Sequence, residues 1–217
     1  EVAKHIVRNT AENFAHVSLE LGGKSPMLIF DDCDIEGAVN GIIAGNFGAS
    51  GQSCVAGSRV FIQKSIHSKI LRKIKERAKA IIVGDPLDKK TQVGPLATAH
   101  QVERAHDVID KSLKQGAKIV FGGKRPDHLS EGWYFEPTLL DCPNQAIDCV
   151  TTELFAPVIS AITFDTEEEA IEMANDSDFG LGAGVFTENL ARAHRVSQKL
   201  HSGIVWVNTY RAISPIS

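Results

Sequence analysis

One thiol, Cys54, stands among residues with almost no side chain: Asn46-Phe47-Gly48-Ala49-Ser50-Gly51-Gln52-Ser53-Cys54-Val55-Ala56-Gly57-Ser58-Arg59. A cysteine crowded by Leu or Phe is core packing. One flanked by Gly51, Ser53, Ala56 and Gly57 leaves room for a substrate carbon to approach, and a soft thiolate adds to a carbonyl more readily than water does. Cys54 is therefore the candidate nucleophile, set against the ordinary reading of a free cysteine as a small buried hydrophobe. The candidate base is Glu20, in Val17-Ser18-Leu19-Glu20-Leu21-Gly22-Gly23-Lys24, where an apolar run ends in two glycines. A carboxylate desolvated at an apolar strand end acquires the raised pKa that a base needs; a strand-end Glu facing water is the competing reading of that residue taken alone.

Such residues need a scaffold, and the apolar pattern alternates between helical and strand periods. It predicts an α/β protein built on a mainly parallel sheet flanked by helices. A helix over 2–14 leads to a strand at 16–21, ended by Gly22-Gly23, and a second apolar run covers 25–30. Asp34 then caps a helix with Ile35, Val39, Ile42 and Ile43 on one face, running to about Phe47. Beyond the Cys54 loop come a strand at 59–63 and a basic amphipathic helix at 65–80, with Ile66, Ile70, Leu71, Ile74 and Ala78 inward. The Lys and Arg residues of that helix read as a solvated face, not as a membrane or nucleic-acid surface. A turn at Gly84-Asp85-Pro86-Leu87 precedes a helix at 98–115 that ends at Gly116. Strands follow at 117–121, 134–140 and 158–164. Thr166 with Glu169 forms a capping box for a helix to about Ala174; 182–186 is a strand, Asn189 caps a helix to about His201, and 203–208 is the last strand.

Composition narrows the function classes. The 217 residues, 43% hydrophobic and 23% charged, support a buried core. A net charge of -4, from 23 basic and 27 acidic residues, carries no footprint of a nucleic-acid or acidic-lipid partner. No apolar stretch is long enough to cross a bilayer, so a soluble chain with no membrane partner is expected. Cys33, Cys54, Cys142 and Cys149 lack CxxC spacing, and no histidine stands at a zinc-finger distance, so no metal site is expected. An even cysteine count without a secretory signal reads as reduced thiols in a cytoplasm. There is no P-loop, HExxH, GxSxG elbow or helix-opening GxGxxG. Glu1 begins what reads as mid-helix, and Ile213-Ser214-Pro215-Ile216-Ser217 carries no terminating element. A piece of a longer polypeptide is the expectation.

Leu19-Glu20-Leu21-Gly22-Gly23-Lys24 and Gly51-Gln52-Ser53-Cys54 resemble the general-base and nucleophile motifs of the aldehyde dehydrogenase superfamily. Glu153-Leu154-Phe155-Ala156-Pro157 resembles a third family element, with Ala156 in place of the commoner Gly, which leaves the backbone angle there open. Phe179-Gly180-Leu181-Gly182-Ala183-Gly184-Val185-Phe186-Thr187 and Gly203-Ile204-Val205-Trp206-Val207-Asn208 resemble a glycine-rich strand of the family and the strand after it. These motifs stand in family order over nearly the whole chain, which makes the resemblance specific.

The resemblance implies the NAD(P)-dependent, hydrolytic branch of that superfamily. Cys54 would form a thiohemiacetal with a small-molecule aldehyde, its own backbone N–H serving as one oxyanion donor. Hydride transfer to NAD or NADP would leave a thioester, and Glu20 would activate the water that hydrolyses it to a free acid. By position, Glu153 resembles the ligand of the nicotinamide ribose hydroxyls, Phe155 packs beside the nicotinamide, Gln101 aligns with a weaker ribose contact, and Leu21 and Gly22 pass close to the carboxamide. The resemblance also implies a division of the chain: 1–21 as the tail end of a cofactor-binding domain, 22–208 as a catalytic domain, and 209–217 as the start of a truncated C-terminal segment. It implies a homodimer or homotetramer built through edge strands such as 203–208. The competing reading is a truncated or non-catalytic fragment that acts only in subunit assembly.

Overall fold

The computed structural model describes residues 2–212; the readings of Glu1 and of 213–217 lie outside the described residues. In chain order the elements are α1 (Val2–Thr10), β1 (Pro26–Ile29), α2 (Ile35–Phe47), β2 (Arg59–Gln63), α3 (His67–Ala78), α4 (Ala99–Lys114), β3 (Lys118–Phe121), β4 (Thr138–Asp141), the short α5 (Asp148–Thr151), β5 (Val158–Phe164), α6 (Glu167–Asn175), β6 (Gly182–Phe186), α7 (Leu190–Lys199) and β7 (Ile204–Val207). The strands form one seven-stranded sheet in the order β3-β4-β5-β2-β1-β6-β7. β3 pairs antiparallel with β4, and the other pairings are parallel. The expected mainly parallel α/β architecture is the one observed.

Parallel neighbours need crossovers, and the crossover helices cover both faces of the sheet. Strand alternation sorts the core accordingly. Leu28 and Phe61 face a layer holding Ile109 of α4, Ile171 of α6 and Val196 of α7. Met27, Ile29 and Ile62 face the opposite layer, with Val39 and Ile42 of α2 and Ile70 and Ile74 of α3. β1 and β6 are buried along their whole length, which is why both read as unbroken apolar or glycine runs. Pro26 opens β1, a strand position where proline is tolerated.

Side-chain caps start the helices where the sequence places them. Asp34, Thr98, Thr166 and Asn189 each accept a hydrogen bond from a first-turn N–H, at 3.1, 3.3, 3.2 and 3.0 Å. The expected capping box of α6 closes differently: Glu169 accepts from the N–H of Asp165, one residue before Thr166. The basic face of α3 is only partly solvated, because Lys73 and Arg77 both reach Glu36 of α2 and tie the two helices together.

Two strand expectations fail. Residues 16–21 form no strand and lie outside the sheet, and Val17, Leu19 and Leu21 stay exposed with no strand beside them among the described residues. Alternation alone cannot supply a ladder partner. No residue from 2 to 22 is buried, whereas every residue from 23 to 30 is. The strand expected at 134–140 starts only at Thr138, because Pro137 has no N–H to donate and the N–H of Glu136 goes to the carbonyl of Lys124 at 2.9 Å.

Arg59, the first residue of β2, is only 2% exposed. Its Nε donates to the carbonyl of Lys24 at 2.8 Å and its Nη2 to Ala174 at 2.8 Å, while Nη1 meets the carbonyls of Met173 at 3.3 Å and Asp176 at 3.4 Å. The fork thus caps the carbonyl end of α6 and joins it to the segment entering β1. Arg59→Lys is expected to lower unfolding free energy by about 3 kcal/mol in a denaturant titration, since a single ammonium cannot reach carbonyls on two segments and leaves buried acceptors unpaired.

Candidate active site

β5, β2 and β1 are adjacent and run the same way, so the loops that enter them emerge side by side. The Glu20 segment enters β1, the Cys54 loop enters β2 and the Glu153 segment enters β5. The candidate site therefore lies at the amino-terminal edge of the strands, whereas open α/β sheets more often bind ligands at the carboxyl ends.

Gly22 and Gly23 permit this convergence. The N–H of Gly23 donates to Glu153 Oε1 at 2.9 Å across 130 positions of sequence. A side chain at Gly22 would collide with the Glu153 carboxylate, and one at Gly23 with the carbonyl oxygen of Cys54. Only residues without a Cβ admit both neighbours.

Cys54 and Val55 are the central residues of a turn closed by the Ala56 N–H on the Ser53 carbonyl at 3.0 Å. Side chains hold the loop at both ends: Gln52 Oε1 accepts from the Ala97 N–H at 3.0 Å, Ser50 Oγ donates to the Gly94 carbonyl at 3.0 Å, and the Tyr210 hydroxyl donates to the Val55 carbonyl at 2.8 Å. The Cys54 thiol is partly exposed, unlike the buried Cys33, Cys142 and Cys149. Glu20 lies near enough for its charge to act on the thiol, but it is exposed on a segment outside the sheet and is not desolvated at a strand end as expected. Burial, then the hydrogen bond and charge of Glu20, push the thiol up, while the N–H groups of Val55 and Cys54 act in the opposite direction.

Gly23, Lys24, Ser53, Ala56, Glu153 and Phe155 line one small cavity behind this turn. Phe155 is 36% exposed and left-handed at φ 55°. The unusual backbone angle of that motif thus falls on Phe155 and not on Ala156, where the replacement of glycine had raised the question. Leu21 and Gly22 are exposed at the rim. Gln101 stands apart in the first turn of α4: no hydrogen bond joins it to Cys54, Glu20 or Glu153 among the described residues, and its buried Oε1 has no hydrogen-bond partner there.

Sequence reasoning passed over Lys24 and Tyr210. Lys24 is 2% exposed, and burial pulls its ammonium down to about 8, opposed by Cys149, Cys142 and Glu153 and aided by Arg59. A lysine between two glycines and a run of buried residues was the available signal. Tyr210 carried none, since it follows the last strand. Among the described residues no group of three or more His, Cys, Asp or Glu side chains could hold a metal ion, and no helix is long and apolar enough to cross a membrane.

A family model described as the aldehyde dehydrogenase family matches residues 1–217. The (Z)-2-((N-methylformamido)methylene)-5-hydroxybutyrolactone dehydrogenase of Acinetobacter baylyi is 52% identical over 218 residues, covering 100% of this chain and 44% of that protein. Betaine aldehyde dehydrogenase 1 of Rhizobium meliloti is 44% identical over 208 residues, 95% of this chain and 43% of its own length. Among solved structures, PnpE in complex with nicotinamide adenine dinucleotide matches with a TM-score of 0.94 at 40% identity, over 100% of this chain and 45% of that one. An NAD+ complex of an aldehyde dehydrogenase from Bacillus cereus matches with a TM-score of 0.92 at 39% identity, over 97% and 43%. The chain spans less than half the length of each of these relatives.

The environment of Cys54 generates a prediction about its titration. Because Glu20 raises the thiol, Glu20→Gln is expected to move the midpoint of Cys54 alkylation by iodoacetamide to lower pH, read by mass spectrometry of the Cys54 peptide across a pH series. An unmoved midpoint would mean that burial alone sets the thiol.

Proposed function

The chain belongs to the aldehyde dehydrogenase family, and from that membership we propose that it forms the catalytic portion of an NAD(P)-dependent enzyme that oxidises an aldehyde to a carboxylic acid. The observation that carries this reading is the convergence of the Glu20, Cys54 and Glu153 segments at one edge of the sheet, fastened by the Gly23 N–H on Glu153 and the close approach of Gly23 to the Cys54 carbonyl, with the Cys54 thiol partly exposed. The names of the relatives give unlike substrates, a hydroxybutyrolactone and betaine aldehyde. Dehydrogenation is the part the names share, and oxidation of a carbon at the aldehyde level is the part assigned to this chain.

NAD or NADP is the cofactor the reading requires, and the residues fit it. The Glu153 carboxylate, held through one oxygen by the Gly23 N–H, suits the vicinal hydroxyls of a ribose. The half-exposed ring of Phe155 would offer a flat apolar face to a nicotinamide, whereas the buried Oε1 of Gln101 is closed to a ribose hydroxyl as the side chain stands. Leu21 and Gly22, both exposed, would border the nicotinamide carboxamide. When bound, the cofactor supplies the hydride acceptor.

The protein's own residues do the rest. The partly exposed Cys54 loses its proton to solvent and adds as the thiolate to the aldehyde carbon, and its backbone N–H donates to the oxygen that gains charge. The carbon–sulfur bond persists through oxidation and leaves a thioester on Cys54. Glu20, beside the sulfur, takes a proton from the water that attacks this thioester, and the acid departs with the thiol restored. On this reading 1–21 belong to the cofactor-binding part, 22–208 to the catalytic part and 209–217 to the start of a C-terminal segment; the change from exposed to buried side chains at Gly22-Gly23 supports the first boundary. β7 is an edge strand with Ile204 and Val207 exposed, and we assign that edge to pairing with a second copy in a homodimer or homotetramer. Four free thiols suit a reducing cytoplasm.

In the whole protein, Cys54→Ala is expected to abolish formation of the reduced nicotinamide, followed by absorbance after rapid mixing. Glu20→Gln is expected to keep the first-turnover burst and to slow steady-state turnover by roughly 10²-fold or more. Turnover by Cys54→Ala, or a lost burst with normal deacylation in Glu20→Gln, overturns the assignments.

A further inference from the structure

After β7 the chain reverses, and a slot made by three glycines receives one tyrosine. Asn208, left-handed at φ 52°, clamps the end of β6 by accepting from the Thr187 N–H at 3.0 Å and donating to the Thr187 carbonyl at 2.9 Å. Tyr210 then turns back among the residues that pack on the α2 side of the sheet. A Cβ at Gly45 of α2 would come within 2.6 Å of its ring, one at Gly184 of β6 within 2.8 Å, and one at Gly57 of the Cys54 loop within 3.2 Å. Trp206 packs against the ring with centroids 4.8 Å apart. The slot therefore excludes any side chain that would displace the phenol, which is 8% exposed and directs its proton to the Val55 carbonyl at 2.8 Å. Burial pushes the phenol up, so it stays a donor at every working pH.

Val55 is the residue after Cys54, and its carbonyl belongs to the turn that carries the thiol. The carbonyl of Cys54 is confined by Gly23, and that of Val55 is confined by Tyr210. We propose that Tyr210 is a positioning residue: its hydroxyl fixes the peptide plane following Val55, and through the two-residue turn it fixes the direction of the Cys54 sulfur and of the Cys54 N–H. A contact 155 positions away in sequence thereby sets the attack geometry at the start of β2. This inference rests on Cys54 being the nucleophile.

The test compares Tyr210→Phe with Trp206→Phe in the whole protein. Phenylalanine at 210 fills the slot and keeps the packing on Trp206, but it leaves the Val55 carbonyl without its donor. Phenylalanine at 206 loosens the same packing and keeps the hydroxyl. The burst rate constant at saturating aldehyde and cofactor is measured well below each melting temperature, with the cofactor Kd as a check on the fold. Tyr210→Phe is expected to slow the burst about tenfold with the cofactor Kd unchanged, since small misplacement of an attacking atom carries large rate penalties; Trp206→Phe should stay within twofold. A slowing of threefold or more that Trp206→Phe does not share supports the role. A smaller slowing, or one that Trp206→Phe reproduces, overturns it. If Cys54→Ala keeps the burst, the nucleophile assignment fails first; if Cys54→Ala is inert and Tyr210→Phe matches the parent, only the role of Tyr210 falls.

Discussion

Two adjacent residues without side chains govern how closely the three motif segments can approach. Gly22 gives way to the Glu153 carboxylate and Gly23 to the Cys54 carbonyl, while the N–H of Gly23 fastens the first of these contacts. A methyl group at Gly23 would push apart segments that enter neighbouring strands, and one at Gly22 would drive the Glu153 carboxylate from its place; the sheet offers no slack, because β1 and most of β2 are buried on both faces. Close packing converts a local displacement into a shift of the whole edge. The spacing is thus set by the Gly23 backbone against the Cys54 carbonyl on one side and by the Glu153 carboxylate on the Gly23 N–H on the other.

That edge also holds the thiol in a restrained state. Burial and Glu20 favour the protonated sulfur, and the N–H groups of Val55 and Cys54 favour the thiolate. The first pair prevails. Raising the thiol makes it a poorer target for oxidants, since susceptibility follows thiolate character; the nearby donors remain in place for the moment when charge develops. Lys24 extends the same logic inward, as a buried ammonium whose charge burial weakens behind the Glu153 cavity.

Local signals in the sequence identified most elements because they were also the physical causes of those elements. β2, β5 and β6 have the expected bounds, since each is a short apolar or glycine run between turn residues, and Asp34, Thr98, Thr166 and Asn189 cap the helices they precede. Reading failed where a partner decides the outcome. The alternation of Val17, Leu19 and Leu21 is indistinguishable from that of a paired strand, and Pro137 shortened β4 by removing a donor. At the site, motif order singled out the Glu20, Cys54 and Glu153 segments, but not how they meet, because the Gly23–Glu153 contact spans 130 positions; Gln101 has no hydrogen bond to that group among the described residues. Tyr210 was illegible because its meaning lies in three glycines drawn from three separate elements.

The joint between Gly23 and Glu153 has a consequence in time. Its partners lie 130 positions apart, so a ribosome adding ~5–20 residues per second exposes the first of them for roughly 5–25 s before the second exists. For most of that interval the nascent chain carries Cys54 without the Glu153 segment that later enters the neighbouring strand. The thiol is at its most vulnerable before folding, and its protection is a property that the finished architecture acquires late.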